Sequence, residues 1–331
     1  MKIKLYSLLI LIISLILLSG CRISKTNTTT QENQIEKNIT NENSTNLSSS
    51  DQTNSATENS TENDNNISDQ NAMTQPINKT SFIVTASDIN GYHESIKDVN
   101  ELNLNIDLSD PRLNALIAHL SAYEYNFQTH QIGEVTLPKS LFIVTNKLNH
   151  LPADYIPENL VEPAIQFSFS EANEKRNQRP ASANALELMF KGAELEDLHL
   201  FAVSGYRSYS RQKSIYNYKV ETRGVEEADK VSARPGHSEH QTGLAMDITC
   251  ESIGFGLEYE FGTSPEGIWV ATHAHDYGLI IRYPEDKVDI TGYNYEPWHL
   301  RYVGLDIASY IYEHDLTIEE LYSSISNQLK E

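Results

Sequence analysis

The apolar positions divide this chain into three stretches of different character. Leu5 to Leu18 is a dominantly apolar run, whereas Ile23 to Lys79 is asparagine, threonine, serine, glutamine and glutamate with almost no aromatic residues. From Phe82-Ile83-Val84 onward, apolar residues return at intervals that specify helices and strands. Apolar residues three and four apart fill one face of a helix, and strict alternation fills one face of a strand. On that basis Pro111 to Leu120 is predicted helical, as is Ala181 to Ala193, with Ala185, Leu188, Met189 and Gly192 on one face. Leu141 to Val144 reads as a buried strand. Leu198 to Val203 alternates like a strand and delivers Ser204-Gly205-Tyr206-Arg207-Ser208 at its end, where Ser208 caps a helix from Tyr209 to about Val220. Ala245 to Thr249 is a short strand. Thr263-Ser264-Pro265-Glu266 opens a helix that stops at Gly278. Leu279 to Tyr283 is the next strand, Glu296 to Val303 a further extended segment, and Thr317-Ile318-Glu319-Glu320 a capping box that opens the last helix. Helices and strands without regular alternation predict an α+β domain, a small antiparallel sheet flanked by helices.

Composition then separates the folded part from the rest of the 331 residues. Lys2 and Lys4, a short apolar run and small residues describe a secretory signal over residues 1–21. Leu18-Ser19-Gly20-Cys21 resembles a bacterial lipobox, in which the cysteine is lipidated. Two acyl chains on Cys21 suffice for stable anchoring. Residues 22–80 cannot bury enough apolar surface to offset chain entropy and are expected to form a disordered tether. As a flexible coil it spans on the order of 40 Å root mean square. Residues 81–136 form an N-terminal extension of unassigned role, and residues 137–331 the main domain. The only other cysteine is Cys250, so a lipidated Cys21 excludes an intrachain disulfide. A formal net charge of -21 argues against a nucleic-acid partner, because phosphate binding needs basic patches. The expectation is a monomeric lipoprotein on the extracytoplasmic face of a bacterial cell membrane.

Candidate chemistry concentrates in two segments. Ser238 to Asp247 places His240 and Asp247 seven residues apart with Gly243 between them, and a turn at that glycine can bring both side chains to one point. Glu296-Pro297-Trp298-His299 adds a second imidazole and a spare carboxylate. Two imidazoles, one carboxylate and an open fourth position describe a catalytic zinc site. Pro297 biases Glu296 to extended backbone. There its carboxylate can act as general base for the attacking water. Arg207, at the end of a predicted strand, carries a fixed charge and forked donors suited to a developing oxyanion. Cys250, three residues after Asp247, reads as a buried thiol rather than a ligand. Two histidines and a carboxylate also bind non-haem iron, but the close His-x-Asp spacing of those sites is absent.

Ser204-Gly205-Tyr206-Arg207-Ser208-Tyr209, Pro235 to Asp247 and Tyr295-Glu296-Pro297-Trp298-His299 resemble the VanY-type D-alanyl-D-alanine carboxypeptidases. These are zinc peptidases of the M15 group, which also holds LdcB-like L,D-carboxypeptidases. The resemblance spans roughly Leu137 to Val303 and includes Leu151-Pro152-Ala153-Asp154-Tyr155 and Leu279 to Pro284. It implies a zinc peptidase fold of the VanY and hedgehog-like group, with His240, Asp247 and His299 as zinc ligands and Glu296 as catalytic base. It further implies that Arg207 stabilises the tetrahedral intermediate, and that Gln212, Ser238 and Trp298 help hold the substrate. The activity so implied is removal of the C-terminal D-alanine from peptidoglycan stem peptides. Its alternatives are L,D-carboxypeptidase action on tetrapeptides, endopeptidase action on cross-bridges, or a non-catalytic module binding cell-wall peptides.

Overall fold

The computed structural model describes residues 97–99, 102, 104–127 and 132–331. Cys21, the 22–80 tract and the Phe82-Ile83-Val84 run lie outside the described residues. The first α-helix among the described residues, α1 (Asn114–Ala122), continues a 3-10 turn over Pro111–Leu113 that Asp110 caps through its side chain. Two short parallel strands follow, β1 (Gly133–Glu134) and β2 (Asn149–His150). They are too brief to leave a pattern in the sequence.

A four-stranded antiparallel sheet organises the rest, giving the α+β class, with its strands side by side in the order β3 (Phe201–Ser204), β4 (Ala245–Thr249), β6 (Glu296–Tyr302) and β5 (Leu279–Tyr283). Its elements in chain order are α2 (Pro180–Glu194), β3 (Phe201–Ser204), α3 (Tyr209–Arg223), α4 (Val225–Val231), β4 (Ala245–Thr249), α5 (Pro265–His273), β5 (Leu279–Tyr283), α6 (Val288–Thr291), β6 (Glu296–Tyr302), α7 (Leu305–His314) and α8 (Ile318–Gln328). The capping expectations are met. Ser208 accepts from Arg211 N, Ser264 accepts from Gly267 N, and Thr317 and Glu320 form a reciprocal capping box. The helix expected to reach Tyr277 is α5 followed by a tightened 3-10 turn over Ala274–Tyr277, and Gly278 ends it in the left-handed conformation.

Side chains alternate across a strand, so each face of the sheet has its own environment. Met246, Ile248, Leu300 and Leu279 enter one buried apolar cluster with Leu186 and Met189 of α2 and Val270 of α5. Each such fully buried side chain contributes roughly 1.5–3 kcal/mol. Ile280 faces the other way, into a second cluster built by Leu113, Leu116, Tyr125, Val144, Ile307, Leu321 and Ile325. The segment before residue 137 therefore shares a core with the last two helices.

Three expectations need correction. Leu188 is 61% exposed, and the buried stripe of α2 is instead Ala185, Leu186, Met189 and Ala193. Leu141 to Val144 is buried in part but is not a strand. The carbonyls of Leu141 and Ile143 accept from Arg301 Nη2 at 3.3 and 2.6 Å, so a guanidinium satisfies backbone that a sheet ladder would otherwise engage. The third strand begins at Phe201 rather than Leu198.

Candidate metal and catalytic site

Strand register sets the site. Asp247 of β4 sits directly opposite His299 of β6 and also beside Ser204 of β3, so three adjacent strands carry one polar row. His240 reaches the same point from the 3-10 turn Glu239–Thr242, which Gly243 closes with φ +66°, a backbone that suits glycine. Glu296 and His299 are three residues apart and would fall on opposite faces of a regular strand. The register between β5 and β6 slips between Tyr283 and Ile281, where the β6 segment is the longer. That bulge re-aims the strand, leaving Glu296 Oε2 3.7 Å from His299 Nδ1.

His240, Asp247 and His299 are all buried, and one donor atom from each lies within 4.8 Å of the others. The donor chemistry decides whether they fit a metal ion. His240 Nδ1 lies 2.8 Å from the Gly205 carbonyl, which can only accept, so Nδ1 carries the hydrogen. His240 Nε2 then turns a lone pair toward Asp247 Oδ2 at 3.2 Å. Burial lowers the pKa of His240 and the charge of Arg207 assists, although Asp247 opposes, so a second proton is disfavoured. Two acceptors facing each other in a buried site call for a cation between them. His299 faces the other oxygen of the same carboxylate. Its Nδ1 faces Asp247 Oδ1 at 2.9 Å and its Nε2 faces Glu239 Oε2 at 3.4 Å. Burial works against charging this ring, but the bonds to Asp247 and Glu239 outweigh it and push its pKa up to about 10. Burial likewise works to raise Asp247, and the two histidines hold it well below the usual carboxylate range. The three side chains thus form a group able to hold a metal ion through two nitrogens and one carboxylate.

The other expected site residues fall in three places. Arg207 follows β3 and is tied down by two bonds, Nη1 to Gln212 Oε1 at 3.0 Å and Nη2 to Ser204 Oγ at 3.1 Å. Gln212 is buried on α3, and its amide nitrogen donates to the Ala233 carbonyl at 2.6 Å. It therefore touches Arg207 rather than standing open to solvent. Ser238 is buried at the start of the 3-10 turn and does not cap it. Trp298 packs against the apolar cluster behind the sheet, with the Tyr259 ring 5.9 Å away. Cys250 is buried and outside the metal-binding group.

Sequence reasoning passed over four residues that complete the site. Glu239 Oε1 accepts from Arg282 Nε at 2.8 Å and from Arg301 Nη1 at 2.7 Å. Glu319 of α8 accepts from both terminal nitrogens of Arg282, at 2.9 and 2.5 Å. Two arginines inside predicted strands, where apolar residues would be expected, were the available signal.

Residues 175–305 match the family model described as VanY, D-alanyl-D-alanine carboxypeptidase. The Bacillus subtilis (strain 168) protein YodJ, named as a candidate carboxypeptidase, is 50% identical over 188 residues, which cover 57% of this chain and 69% of that protein. The D-alanyl-D-alanine carboxypeptidase of Enterococcus faecalis (strain ATCC 700802 / V583) is 34% identical over 188 residues, 54% of this chain and 64% of the relative. Among solved structures, that of the LdcB L,D-carboxypeptidase aligns with a TM-score of 0.58 and 46% identity. The alignment covers 61% of this chain and 92% of that one.

Proposed function

The chain belongs to the VanY family of D-alanyl-D-alanine carboxypeptidases, and from that premise we propose that it is a zinc-dependent peptidase removing the C-terminal D-alanine from peptidoglycan stem peptides. The observation that carries the reading is the buried convergence of His240, Asp247 and His299, with the Glu296 carboxylate 3.7 Å from His299 Nδ1. Those three residues would hold the zinc ion, which when bound supplies a Lewis acid and acidifies water. The Glu296 side chain is 30% exposed, open enough to meet a water at the substrate. It takes the proton of the attacking water and delivers it to the leaving amine as the carbon–nitrogen bond breaks. Arg207 presents fixed donors to the oxygen on which negative charge develops, and Gln212 and Ser204 keep those donors aimed. The Ser238 hydroxyl is the candidate donor to the terminal carboxylate of the substrate.

A second reading keeps the site and changes the bond. The LdcB alignment favours L,D-carboxypeptidase action, which releases D-alanine from tetrapeptides. Mass spectrometry of stem pentapeptide and tetrapeptide, incubated with the detergent-solubilised chain and zinc, separates the two. Loss of one alanine from the pentapeptide alone is the expected result. Loss from the tetrapeptide moves the assignment to L,D. If neither is cut by zinc-loaded protein, both fail and an endopeptidase or a binding module takes their place.

The lipobox-like Leu18-Ser19-Gly20-Cys21 and the polar tract after it support an anchored enzyme. In this proposal a lipid on Cys21 holds the chain to the outer face of the cytoplasmic membrane, residues 22–80 serve as a tether, and the protein acts as a monomer. Cys21→Ala is expected to move the protein from the membrane fraction to the soluble one, and retention at the membrane would overturn the anchor.

A further inference from the structure

A histidine that ligates a metal ion is a neutral imidazole with one hydrogen to give. At His299, Nδ1 faces Asp247 and Glu296 while Nε2 faces Glu239, so the hydrogen can satisfy only one side. Glu239 is not free to turn away. Its Oε1 is occupied by Arg282 and Arg301, which leaves Oε2 toward His299. Glu239, Glu319, Arg282 and Arg301 are all buried, and their charges cancel as a set. Each member is pinned from a different part of the chain. Arg301 also donates to the Ile143 carbonyl, and Asn146 donates to Glu319 at 2.9 Å. Rotating Glu239 away would leave two buried guanidiniums short of a partner, which is costly.

We infer that Glu239, clamped by Arg282 and Arg301, is the positioning residue that draws the single hydrogen of His299 to Nε2 and so presents Nδ1 to the metal. The clamp carries that control to the C-terminal helix α8 through Glu319. This rests on the reading of His240, Asp247 and His299 as metal ligands. A carboxylate behind a ligating histidine fixes its tautomer and raises its basicity. The two histidines are thereby held in opposite tautomers. His240 keeps its hydrogen on Nδ1, against Gly205, and ligates through Nε2.

Glu239→Gln tests the idea. A glutamine must keep its one oxygen toward the two arginines, so its amide nitrogen faces His299 Nε2. That donor forces the hydrogen onto Nδ1, where it blocks ligation. Zinc titration of the full chain against a fluorescent chelator should show affinity about 10- to 100-fold lower in the variant, with near-ultraviolet circular dichroism unchanged. A second measurement needs no variant. Long-range nitrogen–proton NMR of the zinc-loaded wild type should show one metal-bound histidine protonated at Nδ1 and one at Nε2. Wild-type affinity in a folded Glu239→Gln, or two metal-bound histidines both ligating through Nε2, would overturn the inference while leaving the metal site standing. A wild-type chain that takes up no zinc would instead overturn the metal reading and the inference with it.

Discussion

The Gly205 carbonyl accepts the Nδ1 hydrogen of His240 at 2.8 Å, and nothing larger than glycine fits where that carbonyl sits. A Cβ at Gly205 would lie 2.5 Å from Gln178 Nε2, 2.7 Å from the Asn177 carbonyl and 2.9 Å from the Lys175 carbonyl. Two of those three atoms are backbone, and both carbonyls are engaged, since Gly205 N donates to Lys175 O and Tyr206 N to Asn177 O. Gly205→Ala must therefore push the turn away from residues 175–178 and move the carbonyl that orients His240. The expected result is a loss of about 1–3 kcal/mol in stability, and zinc affinity lowered about 10- to 100-fold. Chemical denaturation and chelator competition measure the two. An alanine variant that binds zinc normally would show that Gly205 does not hold His240.

Glu296→Gln separates base from ligand. Glu296 is partly exposed and 3.7 Å from His299 Nδ1, whereas the donor atoms of His240, Asp247 and His299 are buried together. Removing the charge while keeping the shape should leave zinc content unchanged and lower kcat for D-alanine release by about 10²–10⁴-fold. Full turnover in this variant would exclude Glu296 as the base.

These two residues mark how far the sequence could be read. The pairing of His240 with Asp247 was legible because one glycine lies between them and the strand that carries Asp247 is apolar. His299 was legible because Glu296 and Pro297 announce an extended segment. What stayed hidden depends on register. Glu239 lies beside a ligand in sequence, but its role follows from Arg282 and Arg301, which reach it from β5 and β6. Hydrophobic alternation identifies a strand, yet it does not say which neighbour its polar side chain will meet. The Leu141–Val144 run failed for a related reason, since its carbonyls are satisfied by Arg301 and periodicity carries no trace of a side-chain partner. Leu188 was misplaced because two leucines in α2 compete for one stripe and only packing selects Leu186.

Arg207 and Gln212 should behave as actor and support. Arg207→Lys keeps the charge and loses the fork, so it cannot hold Gln212 and Ser204 while also presenting donors to the substrate. The expected loss in kcat is about 10²–10³-fold, the range found when an oxyanion donor is removed. Gln212→Ala removes one hydrogen bond to a charged group, worth about 1.5–3 kcal/mol, so a loss of roughly 10- to 100-fold is expected. Because Gln212 acts through Arg207, the double variant should be little worse than Arg207→Lys alone. Additive losses in steady-state kinetics would show that Gln212 acts on the substrate independently.

Lys147 gives the fold a pH signature away from the catalytic residues. It is 5% exposed, donates to the Asp229 carbonyl at 3.1 Å and lies 5.2 Å from the Tyr293 ring centroid. Burial pushes its ammonium down to about 8, Asp229 resists, and Arg234 adds to the fall. The folded state thus binds this proton more weakly than the unfolded chain, whose lysine titrates at its ordinary 10.5. The cost to stability is complete below about pH 8 and is relieved as pH rises toward 10.5. Lys147→Met keeps an unbranched side chain at the same buried position without a charge. The stability difference between variant and wild type should therefore move in the wild type's favour by on the order of 3 kcal/mol across that window. Paired denaturation curves at pH 7, 8.5 and 10 measure it. A difference that stays flat with pH would mean that Lys147 is as easily protonated in the folded protein as in the unfolded chain, and that the groups around it fully offset its burial.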